Sequence, residues 1–206
     1  MIVTVDRLLA RLRHGAPTRA AELASLKRRL RRERAARPAA DERATALHVR
    51  ELKAEITHAI GDVSCCTSCA QGLPAPGGIF AGGHCCSGDT SVIFGDDDVA
   101  ALAQAGTRAG DLVAPRTEHA GCAFRGQTGC TLAPTERATL CLRYVCNDLR
   151  RELHRAGRLD EVERLIGELE SAHARFAAQR AARLDREWLA ELSAEQTAPS
   201  AAPRRP

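Results

Sequence analysis

All nine cysteines of this 206-residue chain fall between Cys65 and Cys146. They are Cys65, Cys66, Cys69, Cys85, Cys86, Cys122, Cys130, Cys141 and Cys146, and the flanks on either side hold none. Thiols confined in this way answer a local chemical need, either a bound metal or thiol redox chemistry. The flanks must fold by ordinary burial. Aromatic residues make up only 3% of the chain, with one Trp, one Tyr and four Phe. A core of Ala, Leu and Val buries less area per residue than one with aromatics. A metal or cluster in the middle segment would offset that shortage.

The first residues contain no apolar run of the secretory kind, and no stretch of about eighteen apolar residues occurs that could span a membrane. The expected compartment is therefore the reducing cytoplasm. There, an odd number of clustered cysteines reads as metal ligands or reactive thiols rather than as disulfides. The net charge of +4 is unevenly placed. Residues 1–37 hold eleven Arg or Lys against Asp6, Glu22 and Glu33, a net +8. The run from Lys27 to Arg37 could contact nucleic acid. It lacks interleaved aromatics, and Leu23, Leu26 and Leu30 mark a buried stripe, so we read it as a solvated helix face.

The flanks carry helical periodicity. Residues 3–13 place Val5, Leu8, Leu9 and Leu12 on one face. Thr18 is a candidate cap for a helix over 19–36. Residues 41–60 put Leu47, Val49, Leu52, Ile56 and Ile60 inward, with Gly61 as the stop. From Gly72 to Gly88, glycines and prolines predict loop. Residues 90–94 (TSVIF) suit a short strand. Asp96 can cap a helix through Ala105, with Asp97 and Asp98 in its first turn. Residues 106–130 return to loop. Pro134 opens a helical stretch over 135–155 carrying Leu140, Val145, Leu149 and Leu153. Residues 159–192 form a long amphipathic helix with Val162, Leu165, Ile166, Leu169, His173, Phe176, Leu184, Trp188 and Leu192 on one face. A disordered tail is expected after it. The predicted fold is mainly α: a helical hairpin and a long C-terminal helix framing an irregular, cysteine-rich, metal-binding core. The units are residues 1–61, 62–155, 156–195 and a tail over 196–206.

Cys66 and Cys69 form a C-x-x-C pair, whose tight turn can aim two sulfurs at one ion, and Cys65 adds a third thiol. Cys85 and Cys86 are adjacent, and successive side chains of an extended segment point opposite ways. Two metal sites, a polynuclear cluster, or one ligand beside one buried thiol all remain open. Cys141 and Cys146 would lie roughly 140° apart on a helix of about 3.6 residues per turn, so sharing an ion requires the helix to break between them. Cys130 precedes that helix, and Cys122 is the most isolated. A thioredoxin-type redox pair would need a βαβ context, which the Gly/Pro-rich surroundings do not provide. His84 beside Cys85 is a further candidate ligand, with His119 and His173 weaker. Arg125, Arg137 and Arg143 could balance the charge of a thiolate site. Asp96, Asp97 and Asp98 read as a helix start rather than a cation site.

The segments CCTSC, GGHCC, FGDDDVAAL and GCAFRGQTGCTLAPTERATLCLRYVC together resemble the YkgJ-type cysteine-cluster family. Arg137, Cys141, Tyr144 and Cys146 match its closing block in mutual spacing, and the resemblance covers about residues 65–150. It implies a zinc- or iron-chelating protein, and flagellin lysine N-methylases carry a similar motif. The expectation is therefore a non-catalytic protein holding zinc or an iron–sulfur cluster on some or all of the nine cysteines. The alternative is an iron–sulfur-dependent protein-modifying enzyme. A protein partner could dock through the helical flanks, and neither membrane nor nucleic acid is expected.

Overall fold

The computed structural model of the chain describes residues 18–66, 89–116, 121–126 and 129–197, with backbone alone at 195–197. The expected helix over 3–13, the Gly72–Gly88 loop and the end of the tail lie outside the described residues. The helices are α1 (Arg19–Ala35), α2 (Ala40–Ile60), α3 (Thr90–Ile93), α4 (Asp96–Gln104), α5 (Thr139–Arg143), α6 (Asn147–Arg155) and α7 (Leu159–Thr197). A two-stranded antiparallel ribbon, β1 (Arg125–Gly126) and β2 (Gly129–Cys130), pairs Arg125 with Cys130 and Gly126 with Gly129.

The helix boundaries follow local chemistry. Thr18 accepts a hydrogen bond from the Ala21 amide at 3.2 Å, capping α1. α2 stops at Gly61, whose φ of 59° lies in the left-handed region that glycine enters without steric cost. α6 closes with Gly157 at φ 66°. There the amides of Gly157 and Arg158 donate back to the carbonyls of His154 and Leu153, the paired bonds of a Schellman motif.

The two N-terminal helices serve different partners. α1 packs mainly on α4 and α3, joining Leu26 and Leu30 to Ile93, Phe94, Val99, Leu102, Leu112, Phe124 and Leu132. Phe94 and Phe124 meet edge-to-face, their centroids 5.6 Å apart. α2 packs mainly on α7, joining Val49, Leu52, Ile56 and Ala59 to Leu142, Leu149, Leu153, Val162, Leu165, Leu169 and Ala172. Between these two cores, Ala46, Ala100, Ala101 and Ala105 surround Phe176. Small residues let α2, α4 and α7 approach closely there. α4 is buried from Asp98 to Gln104, as befits a helix enclosed on all sides.

Several expectations are corrected. Residues 90–94 form the turn of helix α3, not a strand. The Thr90 amide donates to the buried Glu22 carboxylate at 3.1 Å, and that tertiary contact outweighs the β propensity of the run. The expected loop over 106–130 contains both strands of the ribbon. Gly95, not Asp96, caps α4, and the three aspartates occupy its first turn. The stretch 135–155 is broken into a 3-10 turn (Pro134–Glu136), α5 and α6. Leu47 is exposed rather than inward. Leu184, Trp188 and Leu192 are also exposed. Glu42, near the start of α2, already faces Arg183, so α7 runs on past the end of its partner. It also continues to Thr197, two residues into the expected tail.

The α2–α7 seam ends in a buried polar cluster. Arg183 Nε donates to Glu42 Oε2 at 2.8 Å, and Gln104 Nε2 donates to Glu42 Oε1. Glu42 is 1% exposed. Removing one partner of such a pair strands a buried charge. Glu42→Ala is expected to cost about 3–5 kcal/mol in urea unfolding. A loss below about 1 kcal/mol would place the pair with ordinary surface ion pairs.

Candidate metal centre

Six of the nine cysteines lie in the described residues: Cys65, Cys66, Cys122, Cys130, Cys141 and Cys146. Cys69, Cys85 and Cys86, with His84 and His119, lie outside them. No disulfide joins two of the six. The fold sorts most of them between the two cores. Cys122 belongs to the α1–α4 core, with Cys130 and Cys141 packed against it. Cys65 and Cys146 pack against the α2–α7 core. Cys66 is exposed. Among the described residues, no group of three or more His, Cys, Asp or Glu side chains is placed to hold one ion.

The helix break that a shared Cys141–Cys146 site would need is present. α5 ends at Arg143 and α6 begins at Asn147. Cys146 caps α6, its Sγ accepting from the Leu149 amide at 3.4 Å. That placement puts the sulfur at the N-terminal end of α6, where the helix dipole is positive. Cys141 sits within α5, its amide donating to the Ala138 carbonyl at 3.0 Å.

Burial pushes the Cys122 thiol up to about 11, against the opposing pull of the Phe124 amide, the Thr90 hydroxyl and the Arg19 guanidinium. Those three groups would stabilise a thiolate once a cation repaid the desolvation. Burial also pushes Cys65 up to about 12, and the Glu152 carboxylate and the neighbouring Cys66 add to the rise. Glu152, on α6, accepts from the Ser64 amide at 2.8 Å and the Cys65 amide at 3.1 Å. It thus ties the chain down where the cysteine segment begins. The groups facing Cys122 and Cys146 are amide, hydroxyl and guanidinium donors, the kind of outer contact that thiolate sites use.

The three arginines proposed as counter-charges differ in placement. Arg125 is 1% exposed, and its carbonyl accepts from Arg19 at 3.0 Å. Arg137 Nε donates to the Leu132 carbonyl at 3.4 Å. Arg143 is half-exposed, 3.7 Å from Glu170. His173 is a boundary residue whose Nε2 lies 3.6 Å from Asp98 Oδ1.

Sequence reasoning missed three polar residues that hold the cysteine segment: Glu152, Lys53 and Asp98. Lys53 carried a usable signal. It is one of only two lysines among 30 basic residues, and it sits inside an apolar helical stripe. Asp98 was hidden among three consecutive aspartates. Comparison with protein-family models, curated proteins and solved structures finds no match for this chain.

Two outcomes follow from these environments. With a thiol-alkylating reagent at neutral pH, exposed Cys66 is expected to react first and buried Cys122 last among the six described cysteines, separated by about tenfold or more in rate; peptide mass spectrometry reads the order. The Ser64 amide, and then the contacts to Cys65, hold the Glu152 carboxyl below its usual range. A depressed carboxyl stabilises the fold above the ordinary carboxylate pKa, and that contribution disappears as pH falls through the depressed value. The Ser64 and Cys65 amide proton shifts should therefore titrate together in acid, below the midpoint of an unperturbed glutamate. Glu152→Gln should abolish the titration.

Proposed function

We propose that this chain is a non-catalytic metal-binding protein whose cysteine segment holds zinc or an iron–sulfur cluster. The observation that carries this reading is the confinement of all nine cysteines to Cys65–Cys146. Supporting it are the absence of a disulfide between any two of the six described cysteines and the amide donors aimed at Cys146 and Cys122. The likeness of the cysteine pattern to the YkgJ-type family points the same way. The non-catalytic reading is preferred to a protein-modifying enzyme because the sequence carries no nucleotide or methyl-donor fingerprint. Its compartment is the reducing cytoplasm, and its helical flanks would serve a protein partner. The ligands are drawn from Cys66, Cys69, Cys85, Cys86, Cys130, Cys141 and Cys146, with Cys65 and Cys122 as adjuncts.

No described helix is long and apolar enough to cross a membrane. Lys53, Arg137 and Glu152 hold backbone or lie beside the segment; the thiols themselves would bind the metal, losing protons as they do so.

Elemental analysis and a visible spectrum of protein purified anaerobically, without chelator, test the proposal. At least one equivalent of zinc or iron is expected, and less than about a tenth of an equivalent would overturn it. Cys141→Ser and Cys69→Ser should each lower metal content sharply, since a hydroxyl ligates these ions poorly. Cys65→Ser should lower it less. Full metal retention in the first two variants, with loss in the third, would reverse the ligand assignment.

A further inference from the structure

Three helices converge on the short segment that leads into Cys141. Lys53 on α2 donates from Nζ to the Arg137 carbonyl at 2.8 Å. Asp98 on α4 accepts the Thr139 amide on Oδ1 at 2.8 Å. The two side chains lie 3.9 Å apart, too far for a direct hydrogen bond. His173 on α7 stands beside the pair, with Nε2 3.6 Å from the same Asp98 oxygen. Lys53 is 1% exposed, and Ala138, held between the two anchored peptide groups, is fully buried.

This ion pair does not satisfy itself. Its hydrogen bonds are directed at backbone on either side of Ala138. That segment links the 3-10 turn at Pro134–Glu136 to α5, whose third residue is Cys141. A lysine is suited to the task. Its compact ammonium reaches the single Arg137 carbonyl from a buried position, whereas a planar guanidinium presents a fork of donors.

We propose that Lys53 and Asp98 form a buried clamp that positions Cys141 for metal binding, with Lys53 as the principal positioning residue. The clamp also places a positive charge where thiolate charge would gather. Burial lowers the Lys53 pKa, while Asp98 and then Cys141 favour its charged form. The metal part of this inference rests on the proposed function; the positioning of Cys141 does not.

The test uses the full chain, metal-free and with cadmium alone. The variants are Lys53→Met, which removes the donor, and Lys53→Gln, which retains an N–H donor without the charge. In metal-free protein, with each rate corrected for the thiolate fraction read from its pH–rate profile, Lys53→Met should raise the alkylation rate of Cys141 about tenfold and leave Cys122 unchanged. It should also weaken cadmium binding about 10- to 100-fold, as loss of an outer-shell contact does, read from the thiolate-to-cadmium absorption band. Lys53→Gln should restore most of the Cys141 protection. The clamp is overturned if Cys141 labelling is unchanged in Lys53→Met, or if Cys122 and Cys130 rise equally, which would mark general loosening. Should Lys53→Met fail to fold, Asp98→Ala gives the same comparison with the same deciding outcomes. If the wild-type chain takes up no cadmium or zinc, the proposed function fails, while the metal-free alkylation pattern still decides the clamp.

Discussion

The seam between α2 and α7 carries the rest of the structure. Val49, Leu52, Ile56 and Ala59 meet Val162, Leu165, Leu169 and Ala172 along it. Fully burying an aliphatic side chain of this size contributes about 1.5–3 kcal/mol. In a chain with four phenylalanines and one tryptophan, aliphatic burial must supply most of the driving force. The Glu42–Arg183 pair closes one end of the seam. A buried ion pair is weak evidence for added stability, because desolvation offsets much of the attraction. Displacing α7 along α2 would strand both charges.

The seam also decides where the cysteines go. α5 and α6 pack against it through Leu142, Leu149 and Leu153, which seats Cys146 beside the seam while Cys141 faces the α1–α4 core. α4, enclosed by α1, α2 and α7, presents Asp98 to the α5 start. Among its described residues, the cysteine segment holds α3, α4, the ribbon, the 3-10 turn and α5. Its backbone is held at two points by residues from the framework: Glu152 at Ser64 and Cys65, and the Lys53–Asp98 pair on either side of Ala138. Each anchor is a charged group binding backbone, and such charge-assisted bonds are stronger than neutral ones.

Much of the helical framework was legible from pattern. Thr18 as a cap, Gly61 as a stop and the buried stripe Val162, Leu165, Leu169, Phe176 all follow from 3.6-residue periodicity and capping chemistry. The misreadings have specific causes. TSVI has β-branched residues, but a buried glutamate took the Thr90 amide. Leu184, Trp188 and Leu192 keep the period of a buried face, yet α2 begins too late in the chain to cover them.

The sequence by itself determined the segregation of thiols, the mainly helical architecture and the boundaries that glycine, threonine and proline impose, because these are local properties of composition and backbone freedom. Only the tertiary structure decided that the stretch after Pro134 breaks before Cys146. Only it showed that α1 and α2 serve separate cores, and that Lys53, Asp98 and Glu152 point their charges at the backbone of the cysteine segment. Those outcomes depend on contacts between residues 41 to 88 positions apart. No periodicity encodes such contacts, and a buried charge becomes favourable only when a partner far along the chain arrives to meet it.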